Sequence, residues 1–128
     1  MTSTAPMIRE GDGWASSPGI GALGDGRFRR VRPLLGVTAF GINVKVMQPG
    51  SSSREHWHTE QQELIFVHDG EVEVTFGEGV IERIGPGAIV VIHPGQPHAV
   101  RVISDEPAVL VMMGGKDGVV EGDAQFAP

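Results

Sequence analysis

A histidine pair in the segment from Gly50 to Gly70 constrains the fold more than any other feature of the chain. The segment has the sequence GSSSREHWHTEQQELIFVHDG. His56 and His58 are two positions apart, so on a β-strand, where side chains alternate between faces, both imidazoles point the same way. Glu63 begins the β-prone run LIFV after a polar connection, and a hairpin-like return would bring its carboxylate beside them. The pattern predicts a metal site presented by paired β-strands.

A second segment supplies a fourth candidate ligand. After the β-rich run AIVVIHPG, the turn Pro94 to Pro97 ends at His98, which begins the strand-like HAVRVI. Three imidazoles and one carboxylate suit Fe(II), Mn(II), Ni(II), Co(II), Cu(II) or Zn(II) better than calcium or magnesium. Four protein ligands would leave two open positions on an octahedral ion.

The residues around these ligands resemble the two motifs of the cupin superfamily. The first motif, G-x5-HxH-x4-E-x6-G, is matched at every spacing by Gly50, His56, His58, Glu63 and Gly70. The second, G-x5-PxG-x2-H-x3-N, is matched in large part by Gly87, Gly95 and His98. Two departures are His93 in place of the motif's proline and Val102 in place of its asparagine. The resemblance covers residues 34–114 and implies a small single-domain metal-binding cupin.

The strand pattern and the composition indicate an all-β domain. The chain of 128 residues suits one hydrophobic core, and its 19 glycines point to many tight turns. From Val37 to Met47 the residues alternate as in a long strand, and about five further short strands follow, without a convincing helix. This is typical of a sandwich or barrel. The resemblance selects the cupin double-stranded β-helix, a jelly-roll barrel.

We expect three parts along the chain. Residues 1–33 are rich in glycine, serine, proline and charge and are expected to form an N-terminal arm, residues 34–114 the barrel, and residues 115–128 a loosely packed tail or one that lies on a neighbouring subunit. The arm ends in a cluster of arginines at positions 27, 29, 30 and 32. These arginines are either solvated, docked on an acidic partner or another subunit, or placed to bind an anionic substrate.

Charge and apolar patterning exclude several classes of partner. With 16 acidic and 10 basic residues the net charge is −6, which argues against a nucleic-acid-binding or anionic-membrane surface. No run of 18 apolar residues occurs, and the N-terminal sequence lacks the pattern of a secretory signal. The absence of cysteine excludes disulfides and thiolate ligands and makes a cytoplasmic location the default expectation.

Two further polar residues are candidates for catalysis or substrate binding. Arg54 shares strand parity with His56 and His58, so it would reach the cavity entrance and clamp a substrate carboxylate or phosphate, unless it pairs with a surface glutamate. His93 would either line the pocket mouth and transfer protons near neutral pH or face solvent. His68 is expected to be exposed.

Strand alternation also predicts which way the large apolar side chains face. Those predicted to face the barrel interior or add to its wall are Ile65, Val67, Val100, Phe40, Met47 and Phe76. Trp57 and Phe66 would face away from the ligands, between sheet and arm or at a dimer interface, and the cupins that this chain resembles are often homodimers.

The identity of the bound metal decides which of the functions implied by this resemblance is expected. With a redox-active ion, the expectation is a small dioxygenase for an enol, diketone, catechol or flavonol-like substrate. Zinc would instead favour cyclisation, isomerisation or hydrolysis. The alternative is a non-enzymatic module in which the metal holds a small ligand or stabilises the barrel. A fifth protein ligand such as His93 would favour a structural role, and an open site would favour catalysis.

Overall fold

The computed structural model describes residues 7–128, so the first six residues of the predicted arm lie outside the described part. Its strands, in chain order, are β1 (Arg9–Gly11), β2 (Trp14–Ser16), β3 (Phe28–Arg30), β4 (Gly41–Met47), β5 (His56–His58), β6 (Gln62–Asp69), β7 (Val72–Thr75), β8 (Ile81–Ile84), β9 (Ile89–Ile92), β10 (Ala99–Val102), β11 (Ala108–Gly115) and β12 (Ala124–Phe126). A single-turn helix, α1 (Arg32–Leu35), and the 3-10 helix Ile20–Leu23 complete the elements. The predicted all-β fold of the jelly-roll type is confirmed.

Two layers of strands enclose the main core. One layer is the five-stranded sheet β3-β4-β11-β6-β9, and the other contains β10-β7-β8. Isolated bridges from Ser52 to Arg101 and from His56 to His98 attach the two-stranded sheet β12-β5 alongside β10. Side chains from both layers form one cluster, which includes the predicted Met47, Ile65, Val67 and Val100 with Phe76 packed against it.

Gly70 joins the two layers at the turn between β6 and β7. It has a φ of 77°, and a Cβ built there would lie 2.7 Å from Ala108 Cα and 2.8 Å from Pro107 O. Both features require glycine, because L-residues avoid this region of φ and the neighbouring backbone leaves no room. The glycine that ends the first sequence motif is therefore needed for packing as well as for the turn.

The predicted N-terminal arm has more structure than expected. β1 and β2 form a hairpin, and β3 pairs with β4 as the edge strand of the large sheet. Leu23 and Val31 pack with Val44 of β4 in a second buried cluster on the outer face of that sheet. The expectation of a segment without regular structure was wrong, because its apolar residues are spaced too irregularly to show a period yet still cover one sheet face.

Two further expectations about strands need correction. β5 and β6 do not form a hairpin, because β5 pairs with β12 while β6 pairs with β11 and β9 in the opposite layer. The strand expected from Val37 begins only at Gly41, so Phe40 precedes it, is 39% exposed and lies outside the main core. Trp57 and Phe66 are half-buried on strands, and their place in a homodimer stays a prediction.

The C-terminal tail is also better ordered than expected. β12 pairs with β5 along its whole length, and Asp123 just before it is 7% exposed. The tail therefore packs against its own chain through β5, and a contact with a neighbouring subunit stays a prediction. Among residues 7–128, no helix has the length and apolar character needed to cross a membrane.

Candidate metal centre

The structure brings together the four side chains that the sequence suggests as ligands. His56 and His58 lie on β5, Glu63 on β6 and His98 immediately before β10. One ligand atom from each can be chosen so that all four lie within 4.8 Å of one another. The cluster can therefore hold one metal ion.

Backbone pairing fixes the two histidines that come from different motifs. The His56 N–H donates to His98 O at 3.0 Å, and the His98 N–H donates to His56 O at 2.9 Å. Residues that exchange both hydrogen bonds lie directly opposite each other, so their side chains share a face. The two ring centroids are accordingly 4.4 Å apart.

Glu63 reaches the histidines across the barrel rather than along a hairpin. It lies opposite Gly114 of β11, and Gly114 lies opposite Gly41 of β4. Both glycines border the main cavity, and a Cβ at Gly114 would collide with the Gln61 side chain, so glycine is needed there for packing. The spacing of the ligands thus depends on how the two layers pack.

Two buried polar atoms in the cluster have no hydrogen-bond partner among residues 7–128. They are Glu63 Oε1 and His98 Nε2, which lie 3.8 Å apart on residues only 6% and 1% exposed. A buried polar atom left unsatisfied costs about 1–3 kcal/mol, so native proteins rarely tolerate one without a reason. A cation bound by both atoms would remove that cost, and a carboxylate with three imidazoles suits a divalent transition metal. The residues therefore fit the metal that the sequence predicts.

Backbone carbonyls orient two of the three imidazoles. His56 Nδ1 donates to Arg54 O and His98 Nδ1 donates to Gln96 O, both at 2.9 Å. A carbonyl oxygen can only accept, so Nδ1 carries the proton in each ring and the Nε2 lone pair is free to bind a metal.

Asp123 orients the third imidazole, a role that no pattern in the sequence indicated. Its Oδ1 accepts a hydrogen bond from His58 Nδ1 at 2.9 Å and from Gln61 Nε2 at 2.7 Å. Its Oδ2 accepts from the backbone N–H groups of Glu60 and Gln61 at 3.1 and 3.0 Å. Asp123 therefore ties the C-terminal tail to the loop between β5 and β6 and sets the orientation of His58.

The protonation equilibria reflect these contacts. The hydrogen bond to Glu63, at 2.7 Å from His58 Nε2, raises the pKa of His58, with help from Asp123 and against the effect of burial. Burial lowers the pKa of His98. Burial acts to raise the pKa of Asp123, but the hydrogen bonds from Gln61, His58 and Glu60 outweigh it and hold the pKa well below its usual range. Because the pKa of His58 is raised, a metal competes with a proton at His58 Nε2.

A cavity of about 390 Å³ opens beside the ligands. This volume suits a small organic molecule. Its border includes His56, His58 and Glu63 together with residues of the sheet, the N-terminal arm and the tail, namely Phe28, Arg30, Arg32, Gly41, Asn43, Gln61, Met112, Gly114, Val119, Val120 and Glu121. Arm and tail thus supply much of the outer wall.

Arg54 and His93, the other candidate site residues, lie away from this cavity. Arg54 donates to Ala127 O at 3.2 Å and stacks 4.8 Å from the centroid of the Phe126 ring, because β5 begins only at His56 and strand parity does not extend to Arg54. Arg54 therefore cannot clamp a substrate there.

His93 follows the buried Ile92 at the end of β9, so alternation directs it outward. It is exposed, and its Nδ1 lies 3.0 Å from Gln62 Nε2. A role at the pocket mouth or as a fifth ligand does not fit this position. His68 is exposed as expected, with Nδ1 at 3.0 Å from Asp69.

Comparison with known proteins agrees with this architecture. A sequence model described as a cupin domain matches residues 43–114. The polyketide synthase CurC of Streptomyces cyaneus is 31% identical over 78 residues, which are 60% of this chain and 49% of that protein. The chain thus spans about half the length of this relative.

Solved structures share the fold. The polyketide cyclase RemF of Streptomyces resistomycificus has a TM-score of 0.67 at 20% identity, over 79% of this chain and 70% of that chain. A sugar phosphate isomerase of Silicibacter pomeroyi has a TM-score of 0.66 at 24% identity, over 78% and 64%. A cupin 2 conserved barrel domain protein of Salinispora arenicola has a TM-score of 0.62 at 28% identity, over 70% and 74%.

Proposed function

The chain belongs to the cupin family, and from the chemistry of its site we propose that it is a metal-dependent enzyme that cyclises or isomerises an enolisable small molecule. The substrate class is a 1,3-diketone or a related polyketone. The observation that carries the proposal is the cluster of His56, His58, Glu63 and His98 at an open cavity, with two of its buried polar atoms unpaired. The 31% identity to a protein named a polyketide synthase favours this substrate class.

A divalent cation held by these four residues would supply Lewis-acid stabilisation of negative charge that develops on a substrate oxygen. The protein itself contributes the placement of three neutral imidazoles and one carboxylate. Because the set carries a single negative charge, a dication bound there keeps a net positive charge that attracts an enolate.

The cavity walls position the rest of the substrate. Asn43 on β4 points into the cavity and offers an amide N–H to a second carbonyl oxygen. Met112 and Phe28 provide apolar surface on either side of it, which excludes water and favours a folded conformation of a flexible polyketone. The chain contains no cysteine or tyrosine, so covalent catalysis through a thiol or phenol is not available.

A dioxygenase that acts on an enol, diketone or catechol is the second candidate. The donor set favours it, because three imidazoles and a carboxylate also suit Fe(II), Mn(II), Ni(II) and Cu(II). A non-enzymatic module that binds a small ligand through the metal is the remaining alternative, and the open cavity argues for exchange of ligands at the site rather than a closed structural site.

One experiment separates these functions. Protein purified without added metal or chelator is analysed for metal content and then incubated with enols, diketones, polyketones and catechols while oxygen uptake and products are followed. Zinc at about one per chain, with cyclised or isomerised product and no oxygen uptake, supports the proposal. Oxygen uptake with iron, manganese, nickel or copper establishes the dioxygenase instead.

A matched pair of variants ties either activity to the site. Glu63→Gln should lose metal and activity together, whereas His68→Ala should keep both because His68 is exposed on β6 outside the cluster. Tight ligand binding without turnover under all conditions would overturn the enzymatic proposal and leave the binding module.

A further inference from the structure

Two arginines border the cavity although the chain as a whole is acidic. Arg30 and Arg32 both border the cavity that contains His56, His58 and Glu63. The net charge is −6, so two guanidinium groups at one opening are not explained by the average composition. Two carboxylates border the same cavity, Glu63 at the metal centre and Glu121 on the tail. A bound dication would offset the charge of Glu63, which leaves Glu121 as the carboxylate that opposes the two guanidinium groups.

The sheet register places the Arg30 side chain on the face of the sheet that borders the cavity. Arg30 lies opposite Asn43 of β4, Asn43 lies opposite Met112 of β11, and Met112 lies opposite Ile65 of β6. Residues directly opposite in antiparallel strands share a face, so Arg30 points to the same side as the buried Ile65. Glu63 is two positions from Ile65 and shares that face. Arg30 and the metal ligands therefore lie on one inward surface.

The Arg30 guanidinium has no carboxylate partner in the described part of the chain, residues 7–128, where every ion pair within 4.0 Å involves other residues. Lys45, one row further along the inward face of β4, adds a third cation beside a smaller cavity under His56 and Glu63. Among residues 7–128, neither Arg30 nor Lys45 has a carboxylate within 4.0 Å.

The Arg32 side chain makes one hydrogen bond to the backbone and one solvent-exposed ion pair. Its Nε donates to Val37 O at 3.3 Å, and its Nη1 lies 3.3 Å from Glu121 Oε1. The Arg32 side chain is 29% exposed, whereas that of Glu121 is 77% exposed. An ion pair this open to solvent contributes little stability, so an incoming anion could take the place of Glu121 at small cost.

We propose that Arg30 and Arg32 form a subsite for an oxyanion, a carboxylate or a phosphate ester, carried by the substrate at the end remote from the metal. Glu121 competes with this group for Arg32. The inference rests on the proposed function only in that the other end of the substrate binds at the metal centre. It narrows the substrate class from neutral polyketones to those with an acidic group.

Two ligands that differ only in whether they carry a charged carboxylate test the subsite directly. 4,6-Dioxoheptanoate carries a 1,3-diketone and a carboxylate, and its methyl ester keeps the diketone without the charge. Titration calorimetry on zinc-loaded protein should show the acid binding about tenfold tighter than the ester, the factor expected of one charge-assisted hydrogen bond of ordinary strength. Arg30→Met and Arg32→Met should each bring this ratio towards one. Arg83→Met, which removes the same charge from β8 outside the cavity, should leave it unchanged.

The competition by Glu121 gives a test in the opposite direction. Glu121→Gln should tighten binding of the acid a few-fold and leave the ester unaffected. Glu82→Gln makes the same charge change on β8 and is the control for long-range electrostatics. Equal gains in both variants would show that only net charge matters and would overturn the role of Glu121.

A readout without metal separates this inference from the proposed function. In NMR spectra of the metal-free protein, propionate or inorganic phosphate should shift the Nε–Hε signals of Arg30 and Arg32 but not that of Arg83. Tighter binding of propionate assigns a carboxylate to the substrate, and tighter binding of phosphate assigns a phosphate ester. An acid-to-ester ratio of one in the unmodified protein, or no shift with either anion, overturns the subsite even if turnover of polyketones is found. Shifts without any turnover leave the subsite standing while the proposed reaction fails.

Discussion

Replacement of Asp123 by asparagine should damage the metal site from outside the ligand set. The side chain is isosteric, so the packing is kept and only the charge and two acceptor positions change. If the amide oxygen accepts from the backbone N–H groups of Glu60 and Gln61, the amide NH2 must face His58 Nδ1. His58 then has to accept at Nδ1 and carry its proton on Nε2, the atom that would bind the metal.

The size of the effect follows from these contacts. Loss of a partner that orients a metal-bound histidine typically costs 10-fold to 100-fold in metal affinity, or roughly 1.4–2.8 kcal/mol. The unliganded protein should also lose stability, because a buried carboxylate that accepts four hydrogen bonds is replaced by a neutral amide whose oxygen accepts only two of them and whose NH2 group can donate a third, to His58. Since a hydrogen bond to a charged group contributes about 1.5–3 kcal/mol, we expect a loss of roughly 2–4 kcal/mol in the free energy of unfolding after partial compensation.

Zinc affinity is measured by competition with a chromophoric chelator, and stability by urea unfolding of the metal-free protein. Asp117→Asn is the matched control, because Asp117 is exposed in the same tail and its φ of 52° is one that asparagine also adopts. A zinc dissociation constant within twofold of the unmodified protein would refute the orienting role of Asp123. An equal loss in Asp117→Asn would show that the tail, and not this carboxylate, is responsible.

Three further outcomes are expected. Gly70→Ala should cost roughly 2–4 kcal/mol in urea unfolding, because it adds a clash with the Ala108 backbone to the strain of a positive φ, whereas Gly87→Ala has open space and should cost about 1 kcal/mol. His98→Ala should lower metal content at least tenfold by elemental analysis with unchanged far-ultraviolet circular dichroism, since the main core contains none of the ligands; an unfolded variant would contradict this. The folded pKa of Asp123 lies below the unfolded value of 3.8, so its stabilising contribution is complete above that value and is lost as pH falls. The stability advantage over Asp123→Asn should therefore shrink between about pH 5 and pH 2 in urea titrations.

The ligand set could be predicted because each part of it is encoded locally. Alternation on a strand places His56 and His58 on one face, and a turn of glycine and proline delivers His98. The main core followed from the same alternation, which is why Ile65 and Val67 were assigned to the interior correctly. The predictions for Arg54 and Phe40 failed because they extended strand alternation to residues that precede β5 and β4.

The connection between the motifs could not be predicted from spacing. A polar four-residue link between two β-prone runs is typical of a hairpin, yet residues 59–61 cross from one layer to the other. The backbone groups that a hairpin would pair are satisfied instead by Asp123, more than 60 positions away in sequence. Nothing in the local sequence distinguishes that aspartate from the other acidic residues of a glycine-rich tail.

The metal centre and the walls of the cavity are therefore encoded in different parts of the chain. The segment that matches the cupin domain, residues 43–114, contains all four ligands and the main core. Arg30, Arg32, Glu121 and Asp123 all lie outside it, on segments that pack against the barrel without a periodic pattern of their own. The matched segment thus contains the residues suited to hold a metal, while the arm and the tail contribute the residues that we propose to recognise an acidic substrate. Exchange of residues 115–128 with the corresponding segment of another cupin should consequently alter ligand preference and zinc affinity together, since this short segment holds both Glu121 and Asp123.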